Sequence, residues 1–376
     1  MPTGAAARRA PAAHGAGLRE LAEADLPAVA QLFERVYPQH RWADRAASES
    51  NLREVLFGNP WRDAALPSWI AVQDGRVIGC AGVVPRRMLL GARLMRAAVG
   101  CLFMVDPESR GSLVAPRLAR AMLDGPQDLF LADGANDEAR RLLLAAGGRA
   151  PLLYGLHWTR PLRPARYALG LVEQRARMKL PALALRPLAA PLDAVAARLR
   201  PNRFARVTPG VADESLSAAA IAANLREFLA DSALRPVYDA ASLAWLLGQA
   251  AVKRRHGALR SRGVRDARGR LLGWFLYYVR RGEVAEVLQV VARPGAFAVV
   301  LQRLFADAWR EGASALRGRL DPRHLQELSD RRCWLRREGT WTLVHSKHAE
   351  VTMAFERGAA DLSRLDGEWW MRFAGG

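Results

Sequence analysis

Apolar residues recur along the first half of the chain with two periods in alternation, and their order predicts a mixed architecture of strands and helices. Residues 18–21 form a candidate first strand. Glu23, Asp25 and Pro27 then make a helix entry with an acidic first turn, and Val29, Leu32, Phe33 and Val36 follow at helical spacing. A second helix is expected over 44–57, ended by Gly58-Asn59-Pro60. Two β-rich runs, 68–73 and 76–84, are joined by Asp74-Gly75, a strong hairpin signal. Residues 97–105 read as a buried strand bounded by Asp106-Pro107, and from Leu113 the apolar positions Val114, Leu118, Ala121 and Met122 return at helical spacing. A strand at 128–132 leads to a helix opened by Asn136 as N-cap and closed by Gly147 as C-cap.

The pattern then repeats. Residues 265–275 echo 72–81, with Gly273 standing for Gly79 at an offset of 273 − 79 = 194 positions. A strand at 286–292, a helix at 297–309, a strand at 314–320 and a helix from Pro322 complete the parallel. Between the halves, prolines at 164, 181, 187, 191 and 201 punctuate helical fragments at 165–178 and 191–199, the pattern of a structured connector. The expected organisation is a mobile tail at 1–16, a first domain at 17–162, a helical Arg/Pro-rich connector at 163–205 and a second, divergent domain at 206–376.

Composition restricts the partners. With 51% hydrophobic residues the 376-residue chain can bury substantial cores, yet no run of 18 apolar residues exists to span a membrane. Residues 1–16 lack the apolar stretch of a secretory signal, so the cytoplasm is the default location. Cys80, Cys101 and Cys333 make neither a disulfide framework nor a metal-ligand spacing, and no carboxylate or cysteine accompanies His345 and His348 at metal-binding distance in sequence. The net charge of +19 is nearly all arginine, since lysine occurs only at 179, 253 and 347. Spread along the whole chain, it reads as a solvated surface that attracts anionic ligands. The tightest cluster, Lys253-Arg254-Arg255-His256, is the candidate contact for RNA or an acidic polysaccharide. The aromatic tail around Trp369 and Trp370 is expected to dock against a core, with lining an acceptor site as the alternative.

The chemistry concentrates in residues 105–115. A strand passing into a helix through Arg110, Gly111 and Ser112 points free N–H groups and the positive helix end outward, an arrangement suited to phosphate. This loop resembles the pyrophosphate-binding loop of the GNAT (Gcn5-related N-acetyltransferase) superfamily, Arg/Gln-x-x-Gly-x-Gly/Ala. Arg110 and Ala115 fit that pattern, and Leu113 stands where its central glycine belongs. The helix after it resembles the family segment Asn-x-x-Ala-x-x-Leu-Tyr-x-x-x-Gly through Asn136, Ala139, Leu142 and Gly147. Leu143 takes the place of the tyrosine that is often the family's proton donor to the leaving thiolate. The resemblance covers about residues 17–162. It implies an α/β (α+β) fold: a mixed, mostly antiparallel central sheet flanked by helices, in two tandem GNAT-like domains.

It also implies acetyl-CoA, or another acyl-CoA, as co-substrate, without a metal. Its pyrophosphate would lie on Val105, Arg110, Gly111, Ser112, Leu113, Val114 and Ala115, with Asn136 on the adjacent helix. The acceptor would be an amine or a hydroxyl of a small metabolite or sugar. Glu108, Tyr154 and His157 are the candidate proton carriers. Against each stands a plainer role: an exposed turn residue for Glu108, hydrogen-bonded packing for the other two. In the second half the equivalent loop, Arg293-Pro294-Gly295-Ala296, lacks the arginine–glycine pattern, and Pro294 removes a donor. Two other readings remain: a FemABX-type transferase using aminoacyl-tRNA, and a non-catalytic acyl-CoA-binding protein.

Overall fold

Asp74 and Gly75 both adopt positive φ (51° and 75°), as a two-residue hairpin turn requires, and join β2 (Trp69–Gln73) to β3 (Arg76–Leu90). The computed structural model describes residues 16–38, 45–176, 191, 193 and 212–371. The expected tail, apart from Ala16, and nearly all of the connector helix at 191–199 lie outside them. Around the hairpin the first half follows the sequence pattern: β1 (Gly17–Glu20), α1 (Leu26–Val36), α2 (Arg45–Leu56), β4 (Arg93–Val105), α3 (Val114–Leu123), β5 (Leu129–Ala135) and α4 (Asp137–Ala145). Asn136 caps α4 by accepting the Ala139 N–H at 2.8 Å.

The remaining elements are β6 (Leu156–Pro161), α5 (Pro164–Ala176), β7 (Ala212–Ser215), α6 (Ala218–Phe228), β8 (Leu234–Pro236), α7 (Ala240–Ala251), β9 (Ala258–Arg265), β10 (Leu271–Val279) and β11 (Val284–Ala292). They are followed by α8 (Phe297–Arg310), β12 (Ala315–Arg319), α9 (Leu325–Asp330), β13 (Trp334–Arg337), β14 (Trp341–His345) and α10 (Ala349–Glu356). No helix among the described residues is long and apolar enough to cross a membrane.

The strands form two seven-stranded, mostly antiparallel sheets that exchange members. The first has the order β1-β2-β3-β4-β5-β14, with β8 also on β3; the second runs β13-β6-β12-β11-β10-β9-β7. Strand β6, from the first half, thus pairs with β12 and β13, while β14, from the second half, completes the first sheet against β5. Both sheets contribute residues to one main core, as do α1, α2, α6, α7 and Trp370 of the tail. Helices α3 and α4 cover the outer face of the first sheet, and α8 that of the second.

The glycines matched across the two halves occupy matching places. A β-carbon at Gly79 would meet Leu118 and Val114 of α3; one at Gly273 would meet Val300 of α8. Each is where a strand passes under the helix that makes the parallel crossover.

Candidate active site

Strands β4 and β5 are parallel, but they pair only over Ala97↔Leu129, Ala98↔Phe130 and Val99↔Leu131. Beyond Val99 the strands part. Leu102 carries a positive φ of 50° within a register shift against β3, and β5 turns its other edge to β14. The result is a wedge between residues 100–105 and 132–135, open toward the loop after β4.

That loop is fixed from below. The buried Asp106 accepts hydrogen bonds from Arg35 at 2.9 Å, Arg76 at 2.8 Å and the Glu108 N–H at 3.2 Å. Burial works against ionisation here, but these donors hold its carboxyl below the usual carboxylate range. Sequence reading saw Asp106 only as a strand boundary. It ties α1, β3 and the loop together.

Above this anchor, Gly111 has φ 84°, and α3 begins at Val114 with Leu113 as an N-cap that makes no side-chain bond. The Ser112 N–H turns back to the Ser109 carbonyl at 3.3 Å, and the Val114 N–H reaches the Ser112 hydroxyl at 3.3 Å. The N–H groups of Gly111, Leu113 and Ala115 have no acceptor among the described residues. Leu113 is 74% exposed, its side chain in solvent. The whole set Val105, Arg110, Gly111, Ser112, Leu113, Val114 and Ala115 therefore lies in one turn at the wedge mouth. Asn136 spends its side-chain oxygen on capping α4.

The candidate proton carriers are dispersed. Glu108 sits on the surface, ion-paired with Arg76 at 3.3 Å. Tyr154 lies in the turn before β6, 1% exposed; its hydroxyl donates to the Ala360 carbonyl at 2.8 Å and accepts the Ala360 N–H at 3.0 Å. Burial pushes that phenol well above its usual range. His157 is buried in the second sheet, where burial and the charges of Arg364, Arg319, Arg317 and Arg336 push it down to about 2. Leu143, at the position of the family's tyrosine, is buried under the first sheet. Tyr154→Phe should therefore act on stability alone. A loss of about 1–3 kcal/mol in urea unfolding is expected from the stranded Ala360 groups, with ligand binding unchanged by calorimetry.

Three residues that sequence reading did not single out, Asp133, Arg319 and Glu368, bring the C-terminal tail to the wedge. Asp133 on β5 pairs with Arg319 on β12 at 2.7 Å, both fully enclosed, and its other oxygen accepts the Glu368 N–H at 2.8 Å. Glu368 is thereby laid along the wedge floor, so close to Gly134 that a β-carbon there would collide with its carboxylate. Trp369 is boxed by Lys253, whose ammonium donates to the Trp369 carbonyl and lies 4.7 Å from the ring, by Arg364 at 4.4 Å and by His256, stacked at 4.7 Å. Lys253 and His256 are thus turned inward, which leaves Arg254 and Arg255 as the exposed members of that basic cluster.

The second sheet repeats the wedge and fills it. Strands β11 and β12 pair only over Val284↔Ala315, Ala285↔Leu316 and Glu286↔Arg317. Beyond that point the tail enters: the Arg364 N–H donates to the Leu288 carbonyl at 3.0 Å, and its guanidinium binds the buried Glu286 at 2.6 Å. The equivalent loop is closed as well, with Arg293 turned back onto Glu227, the Leu271 carbonyl and the Phe228 ring.

Residues 17–128 match the family model described as acetyltransferase (GNAT) domain. Three solved structures share the fold over most of the chain. One is a GCN5-related N-acetyltransferase from Anabaena variabilis, at 12% identity and TM-score 0.59, covering 89% of this chain and 74% of that one. Another is a GCN5-related N-acetyltransferase from Kribbella flavida, at 16% and 0.55, covering 88% and 70%. The third, from Enterococcus faecalis, is a conserved protein of unknown function termed a probable N-acyltransferase, at 9% and 0.55, covering 88% and 73%. No curated protein matches the sequence. Residues 17–128 thus carry a GNAT acetyltransferase domain, and the fold over most of the chain is like that of GCN5-related N-acetyltransferases. Among the described residues no group of three or more His, Cys, Asp or Glu could hold a metal ion.

Proposed function

We propose that the protein is an acyl-CoA-dependent N-acyltransferase, with acetyl-CoA as co-substrate and a small-molecule amine or hydroxyl as acceptor. One observation carries the reading. The parted strands β4 and β5 open beside a turn whose Gly111, Leu113 and Ala115 N–H groups are unpaired, at the start of a ten-residue helix. Unpaired N–H groups at a positive helix end suit a diphosphate, and the free edge of β4 suits the amide-bearing arm that follows it. Arg110, exposed in the same turn, adds charge. In this reading two GNAT-like units exchange their last strands; the first binds the coenzyme, and the second, its wedge filled by residues 361–364, supplies walls for the acceptor. Transfer then rests on proximity and orientation, which a missing tyrosine at Leu143 does not remove.

Isothermal titration with acetyl-CoA tests this. Binding is expected, and Gly111→Asp should weaken it by at least tenfold, because Gly111 holds φ 84° and a carboxylate there would face the diphosphate. Absence of binding at millimolar ligand would remove the reading. The non-catalytic alternative is tested by thiol release from acetyl-CoA with a panel of amines: release above the buffer rate that Gly111→Asp abolishes would refute it.

A further inference from the structure

Glu368 stands apart from the other carboxylates of the site. Asp106 and Asp133 are both committed to arginines, whereas the Glu368 carboxylate has no hydrogen-bond donor among the described residues and keeps part of its surface open. Its backbone is pinned by Asp133, and its side chain is stretched over Gly134 on the floor of the first wedge. The groups around it come from every neighbouring element: Asp133 on β5, Cys101 on β4, Arg319 on β12, Lys253 after α7 and Tyr37 after α1. Tyr37 lies within reach of the charges of both Glu368 and Arg110.

Resting on the reading above, we infer that Glu368 is the catalytic base and that the acceptor is a primary amine, drawn to this carboxylate as its ammonium form. The ammonium gives one proton to the Glu368 carboxylate. The freed nitrogen lone pair attacks the thioester carbonyl; the C–N bond forms, the C–S bond breaks, and the sulfur leaves with the electron pair. The amide nitrogen's second proton goes to that thiolate, giving free coenzyme A thiol, and Glu368 returns its proton to water. Burial, reinforced by the Asp133 charge and opposed by Lys253 and Arg319, pushes the Glu368 carboxyl up to about 8. A base of that strength matches an amine better than an ordinary carboxylate would.

The sign of the pH dependence follows: the base form exists above its pKa, so the rate should climb toward about pH 8 and then level off. The probes are benzylamine and spermidine, with hydroxylamine beside them. Hydroxylamine is already neutral over this range and needs no base to free its lone pair, so its profile should stay level, whereas the two ammonium acceptors should show the limb. Glu368→Gln should keep acetyl-CoA affinity by calorimetry while lowering transfer at least 100-fold. It should also remove that limb from the benzylamine profile, and Glu368→Asp should restore a rising limb at reduced rate. A wild type that fails to bind acetyl-CoA overturns the proposed function itself. With binding intact, three results overturn only the present inference: no amine of the three acetylated, transfer by Glu368→Gln within threefold of wild type, or an unchanged limb in that variant, which would then belong to Lys253, itself pushed down to about 8 by burial.

Discussion

Asp133→Ala should destabilise the protein by about 3–5 kcal/mol, read as a lowered midpoint in chemical denaturation. The Asp133 carboxylate is fully buried and holds Arg319, 3% exposed, at 2.7 Å across the join between the sheets. Removing it strands a guanidinium in a place that water does not reach, and strands the Glu368 N–H that Asp133 also accepts. The cost comes from the orphaned partner more than from the lost attraction. Asp133→Ala combined with Arg319→Met should therefore be clearly milder than the sum of the single changes. A loss below about 1 kcal/mol for Asp133→Ala would mean that the pair does not hold the sheets together. Arg319→Met alone leaves the Asp133 charge uncompensated beside Glu368. The carboxyl of Glu368 should then rise further, and the limb of the rate profile should move to higher pH.

What the sequence disclosed was local. The hairpin at Asp74-Gly75, the Asn136 cap and the helix start after Gly111 each rest on residues within a few positions of one another, and each forms as expected. The exchange of strands was not legible. The alternation in Leu156–Pro161 suits any strand edge, and its choice of β12, some 160 positions on, is decided by how two separately formed sheets meet. The same limit hid Glu368. In the sequence it is one acid in an aromatic tail, and only the Asp133 contact, 235 positions away, lays it in the wedge. The Lys253-Arg254-Arg255-His256 cluster is divided for a related reason: Arg254 and Arg255 are exposed, whereas Lys253 and His256 find partners in Trp369, which no neighbouring residue announces. The loop was expected to be a place of free N–H groups; which of them stay free depends on Ser112 closing back on Ser109 and on its hydroxyl taking the Val114 N–H.

Gly79→Ala and Gly273→Ala should separate the two halves of the molecule. At Gly79 the new β-carbon would lie 2.8 Å from Leu118 Cδ1 and 2.9 Å from Val114 Cγ1. Both are side-chain ends on α3, so the helix can give way at a cost near the lower end of the 1–3 kcal/mol usual for overpacking. That shift carries the start of α3 with it, and with it the N–H groups of Leu113 and Ala115. Acetyl-CoA affinity should fall about tenfold, or about 1.4 kcal/mol. At Gly273 the β-carbon would run into the Val291 carbonyl oxygen and lie 2.9 Å from the Ala292 Cα, on the strand with which Gly273 pairs. Backbone held in a ladder cannot retreat as a leucine tip can. The loss should reach or exceed about 3 kcal/mol, at the upper end of the overpacking range. Acetyl-CoA affinity of the folded fraction should nevertheless stay unchanged, because the wedge beside Gly273 is already filled by Arg364. Urea midpoints and calorimetric titration of both variants give the comparison. An affinity loss at Gly273→Ala equal to that at Gly79→Ala would place the coenzyme in the second wedge instead of the first.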